Sequence, residues 1–200
     1  LEGFYTRLNH VFVLEEIGKD EEHNAVIKER RNGQGAEVAG VTVEGKVAYL
    51  SLVQLQAGVT WQKSHYTRPE KWSKDSSVPA EKRIFRTPDW YGYFTATYSP
   101  VKPLNIALSG TYTGSMIVQH MKGYIPKDIA VTTPDFFDMN LKISYDFSLY
   151  KFITLQLNAG IQNIFNAYQR DFDQGKERDS GYIYGPSMPR SYFAGAKLMF

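Results

Sequence analysis

The chain has 200 residues, enough for one sizeable domain, with 23 Lys and Arg against 21 Asp and Glu for a formal net charge of +2. That near balance gives no field of the kind that holds nucleic acid, and the lack of cysteine excludes disulfide scaffolds, Cys-based zinc sites and thiol catalysis. No run of about 18 apolar residues reads as a transmembrane helix, and no signal peptide is recognisable, so the numbering is expected to start after processing or inside a longer chain. The informative excess is aromatic, 14 Tyr, 12 Phe and 3 Trp, as where rings collect at membrane interfaces.

Taken in chain order, eight strands are predicted, at 3–15, 26–45, 47–66, 86–99, 102–119, 135–148, 150–164 and 188–200. Period-two alternation carries them. From Val53 to Gln62 every odd position is apolar and every even one is polar or glycine. The pattern returns at Leu104–Tyr112 and Leu141–Phe147, and most cleanly at Ile153–Ile161. Such runs have the length a tilted strand needs to cross hydrocarbon. Tight connections are predicted at Glu44-Gly45-Lys46, Ser99–Pro103 and Ser148–Lys151, and long polar ones at 16–25, 67–85, 120–134 and 165–187. Short and long links alternate throughout, as in an outer-membrane barrel with short periplasmic turns and long extracellular loops.

The polar stripe decides which way the barrel faces. Gln54, Gln56, Thr60, Asn105, Ser109, Thr111, Gln156 and Asn158 are neutral amides and hydroxyls. A soluble barrel would show water Lys and Glu instead. The aliphatic stripe is therefore predicted to meet lipid, and the amides a wet interior. Only alternate residues then need be apolar, which explains a mean hydropathy of −0.38. The fold class is an all-β antiparallel transmembrane β-barrel segment. Its last strand sets Tyr192, Ala194, Ala196, Leu198 and Phe200 on the lipid side.

With the strands placed, ordered stretches resemble the C-terminal barrel of TonB-dependent outer-membrane receptors. They are Phe4-Tyr5, Asn32-Gly33, Gly40-Val41-Thr42-Val43-Glu44, Arg86-Thr87-Pro88, Tyr112–Met116, Asn163-Ile164-Phe165-Asn166 with Tyr168, and Pro189–Tyr192. The resemblance spans nearly all 200 residues and implies approximately the last eight of 22 strands. The plug domain and TonB box that define the family are absent from this sequence. It further implies energised import of a scarce nutrient: siderophore, haem, cobalamin or glycan. The implied partners are the TonB complex, reached through the missing N-terminal part, the barrel-assembly machinery, a metal chelate or other nutrient, and outer-membrane lipid. Gly195, Leu198 and terminal Phe200 resemble the assembly signal such barrels end on.

No set of nucleophile, base and oxyanion donors suggests itself, and no cofactor or metal is expected. Adjacent Ser64 and His65 point to opposite faces of a strand, which tells against a barrel enzyme. Ligand contacts are expected in the long loops. Arg68 and Trp72 could grip an anionic, aromatic ligand, although such basic loops more often meet lipopolysaccharide or water. His65 and His120 fall near extracellular strand ends; the plainer reading is a wet rim histidine. Tyr182 and Tyr184 would touch ligand or form the upper aromatic belt, beside a mixed-charge run, Arg170 to Asp179, read as a solvated salt-bridged loop. The competing reading is a self-standing eight-stranded barrel with an adhesive or structural role.

Overall fold

The computed structural model describes residues 1–23, 25–186 and 188–200; Asn24 and Ser187, both within predicted loops, lie outside the described residues. Every element among them is a strand, and no helix is long and apolar enough to cross a membrane. The strands are β1 (Glu2–Leu8), β2 (Phe12–Asp20), β3 (Ala25–Asn32), β4 (Ala36–Tyr49), β5 (Val53–Glu70), β6 (Glu81–Arg83), β7 (Trp90–Val101), β8 (Leu104–Thr113), β9 (Ile117–His120), β10 (Ile129–Thr132), β11 (Phe136–Tyr150), β12 (Ile153–Gln162) and β13 (Ser191–Met199).

One antiparallel sheet dominates, in the order β1-β4-β5-β7-β8-β11-β12-β13, with β6 beside the far end of β5. Thirteen strands, not eight, are thus described. The added ones arise where predicted strands 3–15, 26–45 and 102–119 each divide in two and where predicted loops contain β6 and β10; β2–β3 and β9–β10 form separate hairpins. Among the described residues β1 pairs only β4 and β13 pairs only β12, so the sheet is open.

The first tight turn also lies elsewhere than predicted. Strand β4 runs straight through Gly45, paired to Ala57, as far as Tyr49, which pairs with Val53. The reversal uses Leu50 at a φ of 51°, so a glycine in the sequence misplaced the break. The other two reversals fall at residues 102–103 and 151–152.

Cross-strand register separates the faces, because directly paired residues share one. One face carries Val43, Val59, Trp61, Leu55, Leu108, Ile143 and Leu157; the other carries Thr42, Thr60, Gln56, Tyr93, Thr111, Asp146 and Gln156. The apolar face is not a core: Val43 is 51% exposed, Leu55 43% and Leu157 44%. Side chains that are buried, such as Val118, Ile117, Tyr182 and Phe136, cluster instead at the loop end of the sheet.

Candidate functional site

Two aromatic bands bound the apolar face. Toward the long loops stand Trp61 against Trp90 (6.3 Å), and Phe137 stacked between Phe94 (6.3 Å) and Phe165 (5.7 Å). Toward the tight turns stand exposed Tyr49, Tyr98, Phe152 and the Tyr145–Phe147 pair (4.6 Å). From Phe137 to Phe147 on β11 the strand advances roughly 33 Å. At the tilt of about 40° usual for membrane-barrel strands, that advance would span about 25 Å, the height of such a barrel's hydrocarbon belt.

The polar face is knit by its own side chains. Thr42 and Thr60 share a hydroxyl hydrogen bond of 2.9 Å. The Gln56 amide donates to Glu44 (2.8 Å) and the Tyr93 hydroxyl (3.1 Å), and the Gln156 amide donates to Asp146 (2.7 Å). Thr42, Thr60, Tyr91, Tyr93, Thr111 and Thr113 line a hydroxyl-rich recess on this face. Asp138, opposite Thr111, holds the one buried side-chain oxygen that lacks a partner among the described residues.

Above the sheet, four surface segments interlock into a cap. His120, at the end of β9 and 6% exposed, stacks on Tyr182 with ring centroids 3.7 Å apart. Its Nε2 lies 3.0 Å from both carboxylate oxygens of Asp173. Asp171 accepts hydrogen bonds from the hydroxyls of Tyr182 (2.9 Å) and Tyr184 (2.6 Å). Asp179 receives the Met121 amide at 2.8 Å; Asp128 receives the Ser73 hydroxyl (2.6 Å) and the Lys122 amide (2.7 Å). Arg86, at a φ of 61°, donates through Nη1 to the Ile183 carbonyl (2.6 Å) and through Nη2 to that of Gly181.

The electrostatics follow from this wiring. Burial, then the bonded Asp171 carboxylate, pushes the Tyr184 hydroxyl up to about 12 and that of Tyr182 higher still. Burial works to raise Asp171, but the Tyr184 and Tyr182 hydroxyls outweigh it and hold that carboxyl below its ordinary range.

Asn163-Ile164-Phe165-Asn166 acts as the clasp of the last loop. Both asparagines adopt left-handed backbone (φ 52° and 55°), a conformation asparagine tolerates better than most residues. The buried Asn163 amide donates to the carbonyls of Ala167 (3.0 Å) and Met188 (2.9 Å), and its Oδ1 receives the Ala167 amide (2.8 Å). Asn166 receives the Arg190 amide at 2.9 Å.

Three residues singled out from the sequence, His120, Tyr182 and Tyr184, are brought together in the cap, and three are not. His120 is not a wet rim histidine but a buried one. The Arg170–Asp179 run is solvated at most of its charged positions, as expected, but no ion pair within it is found among the described residues. Asp173 is 7% exposed, and Asp171, Asp173 and Asp179 are taken by a histidine, tyrosine hydroxyls and backbone amides. His65 shares the apolar face with Trp61 and pairs with Glu37 at 3.6 Å. Trp72 bonds its own loop at the Pro79 carbonyl (3.2 Å) and meets Phe85 edge-on. Arg68 is exposed. Gly195 pairs with Asn158 on the polar face, Leu198 with Leu155 on the apolar one, and Phe200 is 91% exposed. Arg86 and Asp171 were not singled out as ligand contacts. Arg86's role needs a partner almost a hundred residues away, which no local pattern announces.

Solved structures share the fold. The ferric-catecholate import receptor Fiu of E. coli K12 matches 98% of this chain at 19% identity, with a TM-score of 0.58. The ferripyoverdine receptor of the Pseudomonas aeruginosa outer membrane, bound to ferripyoverdine, matches 98% at 14% identity and 0.59. The chain has a TonB-dependent-receptor-related fold. A third such receptor, PfeA of Pseudomonas aeruginosa in complex with enterobactin, matches at 16% identity and 0.56. This receptor-related wall spans 24%, 24% and 28% of those three chains. No protein-family model matches the chain, and no curated protein does.

Proposed function

We propose that the chain is the C-terminal wall of an outer-membrane receptor that imports a scarce nutrient, a metal chelate foremost. The observation that carries this reading is the exposed aliphatic face held between two aromatic bands, backed by a face of amides and hydroxyls. Lipid meets the first face and a watery bore the second. The cap of interlocked loops then stands on the extracellular side, where ligand arrives, and the tight turns stand in the periplasm. Among the neighbours, Fiu is a ferric-catecholate import receptor and another receptor is bound to ferripyoverdine, and exposed Lys122, Tyr124 and Lys127 on the cap suit an anionic aromatic guest.

In this reading the wall is not a catalyst. Energy comes from the TonB complex through a plug domain elsewhere in the full-length protein, and the barrel-assembly machinery reads Gly195, Leu198 and Phe200. The test is equilibrium binding to the full-length protein across ferric siderophores, haem and cobalamin, paired with uptake by cells with and without an energised inner membrane. Saturable binding of one ligand and energy-dependent uptake are expected. Passive, unsaturable uptake overturns the reading.

A further inference from the structure

The last loop does not stand clear of the sheet but folds across it. It leaves β12 at Gln162 and re-enters the sheet at Ser191, the start of β13. On the way it lies against Phe136, which shares a row of the polar face with Thr42, Thr60, Tyr91 and Thr113. The Tyr184 and Phe136 ring centroids are 6.0 Å apart, and a Cβ at Gly185 would lie 2.6 Å from the same phenyl. The same stretch then reaches Arg86, just before β7. With the strands ordered β7-β8-β11-β12, that reach is three strand spacings, roughly 14 Å.

The bonds that hold the loop there are of two kinds. His120, Asp173 and Tyr182 are buried and belong to the core of the cap. Arg86, Gly181 and Ile183 are exposed. The Arg86 guanidinium holds the carbonyls of Gly181 and Ile183, each on its own terminal nitrogen, and no carboxylate pairs with it among the described residues. Two nitrogens facing two oxygens is the fork in which arginine takes a carboxylate or a phosphate. Its backbone is fixed as well: at a φ of 61°, the Arg86 amide donates to the Ile117 carbonyl (2.8 Å). Left-handed backbone at a residue other than glycine is strain of the kind that gathers at ligand clamps and switches.

We propose, resting on the receptor reading above, that Arg86 is an oxyanion-binding residue which the last loop masks. A guest's carboxylate or phosphate takes the places of the two carbonyls and so unfastens the loop at its far end. An anion brings a Coulomb attraction that neutral carbonyls lack. Freeing the carbonyls costs little, because Gly181 and Ile183 are exposed and water satisfies them. No buried bond of the cap has to break, and the His120–Tyr182 stack stays as the pivot. Guest and loop thus compete for one guanidinium.

Amide hydrogen exchange on the full-length protein in detergent tests this, with inorganic phosphate and malonate as probes against chloride at equal ionic strength. In the wild type, and in Lys151→Gln at the tight-turn end of the sheet, either oxyanion should speed exchange at 181–184 several-fold. Arg86→Gln should already exchange that fast in chloride and show no further response. Arg86→Lys keeps the charge but loses the fork, so its response should be smaller than the wild type's. If one of the two variants fails to assemble, the other decides. Exchange at 181–184 that ignores both oxyanions in the wild type overturns the proposal, as does an undiminished response in either Arg86 variant. Energy-dependent uptake that persists beside such a result sinks the masked arginine alone; passive uptake removes the receptor reading itself.

Discussion

Asp171 and its two tyrosines show how single groups set the behaviour of the cap. The Asp171 carboxyl is held low, so its stabilisation is present above the ordinary carboxylate range and is lost as pH falls through the folded value. The tyrosines are held high, so theirs is present below about 10 and is lost as pH rises toward about 12. The cap is therefore predicted to hold through neutral pH and loosen at both extremes, read by tyrosinate absorbance on the alkaline side. Asp171→Asn should bring the Tyr184 titration back toward 10; an unchanged alkaline midpoint would refute the coupling. Glycine is equally position-specific. A Cβ at Gly160 would lie 2.4 Å from both the Leu141 carbonyl oxygen and the Phe193 ring, whereas one at Gly45 meets open space. Gly160→Ala is predicted to cost about 1–3 kcal/mol and Gly45→Ala far less, measured by urea unfolding in detergent.

At the scale of elements, the two faces of one strand make opposite demands. Ile161→Arg, on the apolar face of β12 opposite Leu141 and midway between the bands, puts a charge into hydrocarbon and should cost about 2–4 kcal/mol. Gln156→Arg lands beside Asp146 on the wet face and should fold with near-normal yield. Equal yields for the two would contradict the orientation. Asn163→Ala removes the clasp of the last loop and is predicted to cost roughly 2–3 kcal/mol, seen as faster proteolysis of 163–190 with the strands intact. Alternation made the sheet's strands and faces legible in the sequence, because the period of two is local and strong at Val53–Gln62 and Ile153–Ile161. Strand ends were less legible: Gly45 looks like a turn, yet strand pairing carries the chain past it. The cap was legible only as a set of candidates. That His120 meets Asp173 and Tyr182 depends on contacts more than fifty residues apart, and polarity alone reads the same run as solvated.

At the scale of the molecule, the main sheet presents, among the described residues, an unpaired ladder at β1 and another at β13. Such edges recruit other chains. The isolated 200 residues are accordingly predicted to form higher assemblies in detergent, and light scattering that finds a stable monomer would require the two edges to have joined. The cap bears on how such a protein changes its diet. Because Ser73, Met121, Asp173 and Arg86 belong to four segments linked in a chain of hydrogen bonds, transplanting any one segment from a relative would orphan groups in at least one other. New specificity would have to arrive as a block, so laboratory chimeras should succeed when these segments are exchanged together and misfold when they are exchanged singly.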